Sequence, residues 1–186
     1  MTRSWTVTEA PDGARTGSTV HEPERDGRQL ALSAVFEAEF GQRTASDVLG
    51  RRIADGDIGE RAGAHATRIV EAVMAYRVTI DARIEEVAPQ YPVVQLARID
   101  RALLRCGVGE LLHCPTTPAR VAISEWVELA RTYSGEPTRR LMNGALGRVA
   151  RQAAEAEGTE RDVVSPAGSE STTDTVTQAH TEGPAE

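Results

Sequence analysis

The amino-acid sequence predicts an all-α protein. Apolar residues recur at steps of three and four in several segments, while no segment of convincing length alternates apolar with polar residues. Glycine and proline interrupt the helical patterns at intervals typical of short connections. We therefore expect a compact bundle of six or seven helices. At 186 residues, the chain is long enough for one domain with a proper core.

The most regular pattern lies between residues 96 and 149 and predicts three helices. The first is amphipathic, with an apolar face opposite an arginine-rich one. A second helix is expected to begin at Pro118, to be capped by Thr117 and to run to about Tyr133. Gly135 supplies a left-handed stop, after which a third helix is expected to start.

The first half of the sequence predicts shorter helices. One is expected over about 28–40, where Gly41 ends it, and another over about 45–54. A helical row of apolar residues then runs from 62 to 87, with a bend, until two prolines end it.

Charge and composition divide the chain into three parts. Residues 1–26 carry a net charge of −2, residues 27–152 of +2 and residues 153–186 of −7, and every basic side chain other than histidine is an arginine. The two outer segments are polar and lack a periodic apolar face, which predicts a disordered N-terminal tail and an acidic, disordered C-terminal tail. The helical domain of 27–152 is mildly basic, so an overall charge of −7 does not argue against a polyanionic ligand.

Several classes of site find no support in the sequence. Cys106 and Cys114 form no CxxC pair, and their spacing near His113 does not indicate a metal site. No glycine-rich loop lies between an apolar strand and a helix, so no nucleotide cofactor is expected. Neither a long apolar run nor a secretory leader is apparent, and two isolated cysteines fit a reducing compartment; we expect a cytoplasmic protein that does not enter a membrane.

The sequence offers no convincing catalytic group. Asp100 and Glu110 lie ten residues apart on one predicted helix, which separates them by about 280° around the axis and roughly 15 Å along it. They cannot share a proton and are expected to be solvated or ion-paired surface acids. We therefore expect a protein that is not an enzyme.

Arginines near predicted helix starts are candidates for nucleic-acid contacts. Their guanidinium groups add to the positive end of the helix dipole and to free backbone N–H groups, a combination that favours phosphate. Solvated surface arginines are the alternative. The candidates are Arg25, Arg28, Arg120, Arg139 and Arg140.

Four segments, in this order, match a known family. RIDRALLR, VAISEWVELAR and RRLMNGALGRVAR, with the weaker RQLALSAVFEAEF near the N-terminus, resemble the NusB transcription antitermination family. The match covers roughly residues 81–151, with the weaker segment at 28–40. The resemblance implies a NusB-like bundle in which an N-terminal and a C-terminal helical subdomain pack together.

The resemblance also implies a function and two surfaces. Family members bind single-stranded boxA RNA together with the ribosomal protein NusE, helping RNA polymerase to read through early stop signals in ribosomal RNA operons. The resemblance assigns Arg28, Arg139 and Arg140 to RNA and places Phe36 where a ring could stack on a base. It matches Asp100 to an acid that helps to dock NusE, which suggests a protein-partner face formed by Arg98, Asp100 and Arg101. A solvated helix face is the alternative.

One departure from the family keeps an alternative open. Where the family shows consecutive arginines, this chain has HEPERDGR, in which acids alternate with two arginines. The alternative is a helical protein-interaction module that docks NusE but has weak or no RNA affinity of its own. Self-association through the basic surface is a further alternative.

Overall fold

Seven α-helices make up the part of the chain that the structure, a computed structural model, describes: residues 22–56 and 58–164, with side chains to residue 156. A short 3-10 helix lies between the fourth and fifth helices at Val93–Gln95, and these ranges contain no strand. The prediction of an all-α fold is confirmed. The helices are α1 (Pro23–Ala38), α2 (Ala45–Asp55), α3 (Glu60–Ala75), α4 (Arg77–Val87), α5 (Arg98–His113), α6 (Ala119–Tyr133) and α7 (Glu136–Val164).

Helix α5 lies at the centre of the bundle. It packs against α1 and α3 on one side and against α4, α6 and α7 on the other, so it joins the N-terminal and C-terminal groups of helices. Its segment from Ala102 to Glu110 is buried throughout. None of the helices in the described ranges combines the length and the apolar run that a membrane crossing requires.

Helix α1 begins earlier than the sequence pattern suggests. It starts at Pro23 rather than near Arg28, so placing residues 23–26 in a disordered tail was wrong. Proline suits the first helical position because its missing N–H would be unpaired there, and Glu24 and Asp26 complement the positive end of the helix dipole. The rest of the predicted N-terminal tail, residues 1–21, lies outside the described residues.

The predicted boundaries of α6 are partly correct. Its end at Tyr133 is confirmed, and Gly135 follows with φ of +97°, the left-handed conformation that glycine adopts without strain. Its predicted start is wrong, because α6 begins at Ala119 and Pro118 is the N-cap residue. Thr117 makes no side-chain cap. The bend predicted between residues 62 and 87 is a break at Tyr76, where α3 ends and α4 begins.

Helix α7 is longer than predicted. It continues to Val164, so assigning residues 153–164 to a disordered tail was wrong. Alanine-rich sequence favours this extension, and its base is fixed to α4, where Arg83 donates to Gln152 and Gln152 donates to Glu86. The remainder of the predicted acidic tail, residues 165–186, lies outside the described residues.

Candidate nucleic-acid interface

Arg25 and Arg28 lie one turn apart near the start of α1 but have different surroundings. The Arg25 side chain is 48% exposed, and its Nε lies 4.0 Å from Oε2 of Glu125 on α6. The Arg28 side chain is 2% exposed. Arg25 can therefore meet a ligand from solvent, whereas Arg28 cannot.

Arg28 is bound by a buried carboxylate. Its Nε donates to Oε2 of Glu110 at 2.9 Å and its terminal nitrogen donates to Oε1 at 2.7 Å, a bidentate pair across α1 and α5. Glu110 has no exposed surface. The expectation that Arg28 contacts RNA is therefore not met, and the expectation that Glu110 is a surface acid is wrong. Both side chains are structural.

Two further side chains complete the surroundings of Glu110. The indole Nε1 of Trp126 on α6 donates to Oε2 at 2.6 Å, and Nε2 of His65 on α3 lies 3.2 Å from Oε1, poorly aligned for a hydrogen bond. Arg68 lies 3.2 Å from the other ring nitrogen of His65, and a guanidinium can only donate. In that contact Nδ1 is therefore the acceptor.

The pKa of Glu110 follows from this arrangement. Burial alone would raise the pKa, because desolvation disfavours the charged carboxylate. The contacts from His65 and Arg28 outweigh burial and hold the pKa at about 2. The carboxylate therefore stays ionised at neutral pH inside the bundle, where it joins α1, α3, α5 and α6.

A groove of about 590 Å³ runs beside the start of α1. Gln29 and Ser33 of α1 line one side, Arg52 of α2 lies on another, and Tyr133 at the end of α6 closes it. Tyr133 is 48% exposed, so its ring can meet a ligand. In the sequence, Tyr133 marks the end of the predicted helix and no ligand contact is expected of it. An aromatic residue at a helix terminus beside a glycine turn is the signal that could have identified it.

The last two predicted arginines follow Tyr133 in the chain. Beyond Tyr133 the chain turns at Gly135, and Arg139 and Arg140 lie in the first part of α7. Arg139 makes a bidentate pair with Glu136, with both bonds at 2.8 Å, which lowers the pKa of that carboxyl. Arg140 is 71% exposed and 3.7 Å from the same Glu136. Two guanidinium groups thus share one carboxylate.

Arg120 does not join this group. It lies at the start of α6, thirteen residues before Tyr133, which corresponds to about 20 Å along the helix. It is exposed, and no ion pair to it is found among the described residues. Arg25 is thus exposed on α1, and Arg139 and Arg140 follow Tyr133 by six and seven residues, while Arg28 is buried and Arg120 lies apart from Tyr133.

Phe36 and Phe40 form an aromatic pair at the end of α1. Their ring centroids are 5.4 Å apart in an edge-to-face arrangement. Phe36 is partly buried and packs against the core, whereas Phe40, beyond the helix end, is 51% exposed. The guanidinium of Arg98 lies 4.6 Å above the Phe40 ring. Phe40 therefore offers more ring surface to a ligand than the predicted Phe36.

The predicted partner face is only partly available. Arg98 is exposed, but Arg101 is bound to Glu39 and also donates to the carbonyl of Val93 at 3.4 Å. Asp100 accepts hydrogen bonds from Ser134 and Thr138, and these bonds fix the turn between α6 and α7.

The cysteines behave as small apolar residues. Both are free and buried, and burial raises the pKa of the Cys106 thiol far above its usual value and that of Cys114 to about 11. Neither is a thiolate at neutral pH. Across 22–56 and 58–164, no three side chains of His, Cys, Asp or Glu are grouped so as to hold a metal ion.

The sequence and fold match known proteins. The model described as "NusB family" matches residues 25–151. A transcription antitermination protein NusB from Heliobacterium modesticaldum is 36% identical over 134 residues, 72% of this chain and 65% of the relative. One from Dehalococcoides mccartyi is 34% identical over 131 residues, 70% of this chain and 92% of the relative.

The fold matches as well. A solved structure of antitermination factors NusB and NusE in complex with double-stranded RNA superposes with a TM-score of 0.64, covering 71% of this chain and 98% of that one at 19% identity. Such a likeness shows a shared fold. The family match over residues 25–151 and the relatives at 34–36% identity establish that this chain belongs to the NusB family.

Proposed function

We propose that this chain is a transcription antitermination factor. It binds boxA-type single-stranded RNA together with NusE and helps RNA polymerase to read through early stop signals, notably in ribosomal RNA operons. Its role is that of a scaffold and not of an enzyme. Two relatives named as NusB antitermination proteins, each at least 34% identical to this chain, support the proposal.

One observation carries the RNA-binding part of the proposal. The groove along α1 is lined by Tyr133, Arg52 and the acid Asp26; Arg25 precedes Asp26 in the chain, and Arg139 and Arg140 follow Tyr133 by six and seven residues. An aromatic ring with basic groups nearby in the chain suits a single strand, because bases stack on the ring while phosphates meet the guanidinium groups. The positive end of α7 adds to the attraction that Arg139 and Arg140 exert on a phosphate.

The test is a binding titration with a fluorescent boxA RNA at several salt concentrations, with and without NusE. Changing Arg140 to Glu is expected to weaken RNA binding and to reduce the salt slope by about 0.7, the value for one phosphate contact on a single strand. Changing both Arg139 and Arg140 should weaken binding further. The matched control is Arg77→Glu, since Arg77 is also exposed but lies on α4, outside the proposed face. Unchanged affinity in the double variant, with helix content intact, would remove both arginines from the site.

A second candidate function has support in the charge pairing. Arg28 is buried and ion-paired with Glu110, Arg25 lies near Glu125, and Arg139 is ion-paired with Glu136. Much of the predicted basic charge is therefore compensated. This pairing favours a module that docks NusE and has little RNA affinity alone. RNA binding that occurs only in the presence of NusE would support this alternative.

A further inference from the structure

A small depression lies beside Phe40, at the end of α1 opposite to the Tyr133 groove. It measures about 190 Å³ and is lined by Phe40, Gln42, Arg43 and Glu37. Pockets that enclose a drug-sized ligand are larger, roughly 300–1,000 Å³, and are mostly apolar. Three of the four lining residues here are polar or charged. The depression therefore suits one planar polar ring better than an aliphatic side chain of a partner protein.

The charges around the depression favour an anionic strand. Glu37 accepts from both Arg51 and Arg52, at 3.3 and 2.9 Å, so it is already neutralised. The hydrogen bond from Arg52 is also what lowers the pKa of Glu37.

A second carboxylate near the end of α1 is neutralised in the same way. Glu39 is bound by both Arg101 and Arg105. Two carboxylates thus engage four arginines, one of which, Arg105, is also bound by Asp81. Arg43 lies close enough to Glu37 to help lower the pKa of that carboxyl, and within the described ranges neither Arg43 nor Arg98 forms an ion pair.

We propose that the depression at Phe40 binds one unpaired nucleobase of single-stranded RNA. The base stacks on the Phe40 ring across from Arg98, which covers the other face of that ring, the Gln42 amide faces the hydrogen-bonding edge of the base, and Arg43 meets the adjoining phosphate. This inference rests on the proposed RNA-binding function and adds a second contact point. Arg25 and Ala38, the last residue of α1, are thirteen residues apart, which is about 20 Å at helical rise, so one strand of several nucleotides can span both ends of α1.

The test compares matched substitutions at Phe40 in the full-length chain. Phe40→Leu keeps an apolar side chain but removes the π surface, whereas Phe40→Tyr keeps the ring. In anisotropy titrations with a labelled boxA RNA, Phe40→Leu is expected to weaken binding roughly 5- to 150-fold, the range for loss of one stacked base, and Phe40→Tyr to bind like the unaltered protein. Val94→Ala is the control, because Val94 is 80% exposed and lies outside the depression.

Two further readouts identify the mechanism. Loss of a stack removes no charge, so Phe40→Leu should retain the salt slope, while Arg43→Gln should reduce it by about 0.7. With 2-aminopurine placed at successive positions of the RNA, one position should be quenched by the unaltered protein and by Phe40→Tyr but not by Phe40→Leu.

Three outcomes would overturn the proposal or separate it from its premise. Equal RNA affinity of Phe40→Leu and the unaltered protein would refute the base site. Weaker binding to NusE in the absence of RNA, with RNA affinity unchanged, would make Phe40 a protein contact instead. If the unaltered protein binds boxA RNA neither alone nor with NusE, the proposed function fails and the inference fails with it.

Discussion

Replacing Arg28 with methionine should remove a large part of the stability of the bundle. The change keeps most of the side-chain volume but leaves Glu110, which has no exposed surface, without its counter-charge and without two hydrogen bonds of 2.9 and 2.7 Å. Breaking one partner of a buried ion pair costs about 3–5 kcal/mol, against about 5–15 kcal/mol for the unfolding of a typical domain. With a urea m-value of about 2 kcal/mol/M, the midpoint should fall by roughly 2 M.

The measurement is urea unfolding followed by far-UV circular dichroism, and by the fluorescence of Trp126 in a Trp5→Phe background. Adding Glu110→Gln to Arg28→Met removes the stranded charge but retains an acceptor for the indole, so the double variant should be more stable than Arg28→Met alone. A loss below about 1 kcal/mol in the single variant, or strict additivity in the double, would refute the reasoning. Arg28→Lys, which keeps the charge, should remain folded and bind RNA like the unaltered protein.

Three other outcomes are expected. Because the pKa of Glu110 is lowered from 4.5 to about 2, its contribution to stability is present above about pH 4.5 and is lost as the pH falls toward 2. In urea unfolding between pH 6 and pH 3, the free energy of unfolding should therefore decline more steeply with falling pH than it does in Glu110→Gln. Parallel curves for the two proteins would contradict this. Gly27→Ala should cost about 1–3 kcal/mol, because its Cβ would lie 2.8 Å from the backbone oxygen of Ala62 and force α1 from α3. The matched change Gly50→Ala, in open space within α2, should stabilise by about 0.5–1 kcal/mol, and similar melting temperatures for these two variants would be evidence against the close approach. Thr44→Ala should cost about 1 kcal/mol by removing the N-cap of α2, whereas an unchanged thermal melt would show that the cap contributes nothing.

Local periodicity was sufficient for the helices but not for all of their ends. Apolar residues at steps of three and four are visible in the sequences of α5, α6 and α7, although α5 buries every residue from Ala102 to Glu110 and not one face alone. The start of α1 was missed because its first turn is polar and lacks an apolar row, although Pro23 with acids behind it suits a helix start. The extension of α7 was missed for a related reason, since alanine supports a helix by intrinsic propensity without creating an apolar face.

The site residues were harder to predict because their surroundings come from distant parts of the chain. Arg28 reads as a surface arginine at a helix start, but its partner Glu110 is 82 residues away. No local pattern reports such a pair. Likewise, the exposure of Phe40 and the partial burial of Phe36 depend on how the end of α1 meets the start of α5. Spacing alone could place both rings on one helix side but could not decide which ring meets solvent.

The carboxylate of Glu110 has a consequence for how this sequence can change over time. The side chains that contact it come from α1, α3 and α6, so substituting any one of them leaves a buried polar group without a partner. A purely apolar replacement requires several simultaneous substitutions, and each single step towards it passes through a less stable protein. The same shared dependence ties the two groups of helices together, and they should melt as a single unit.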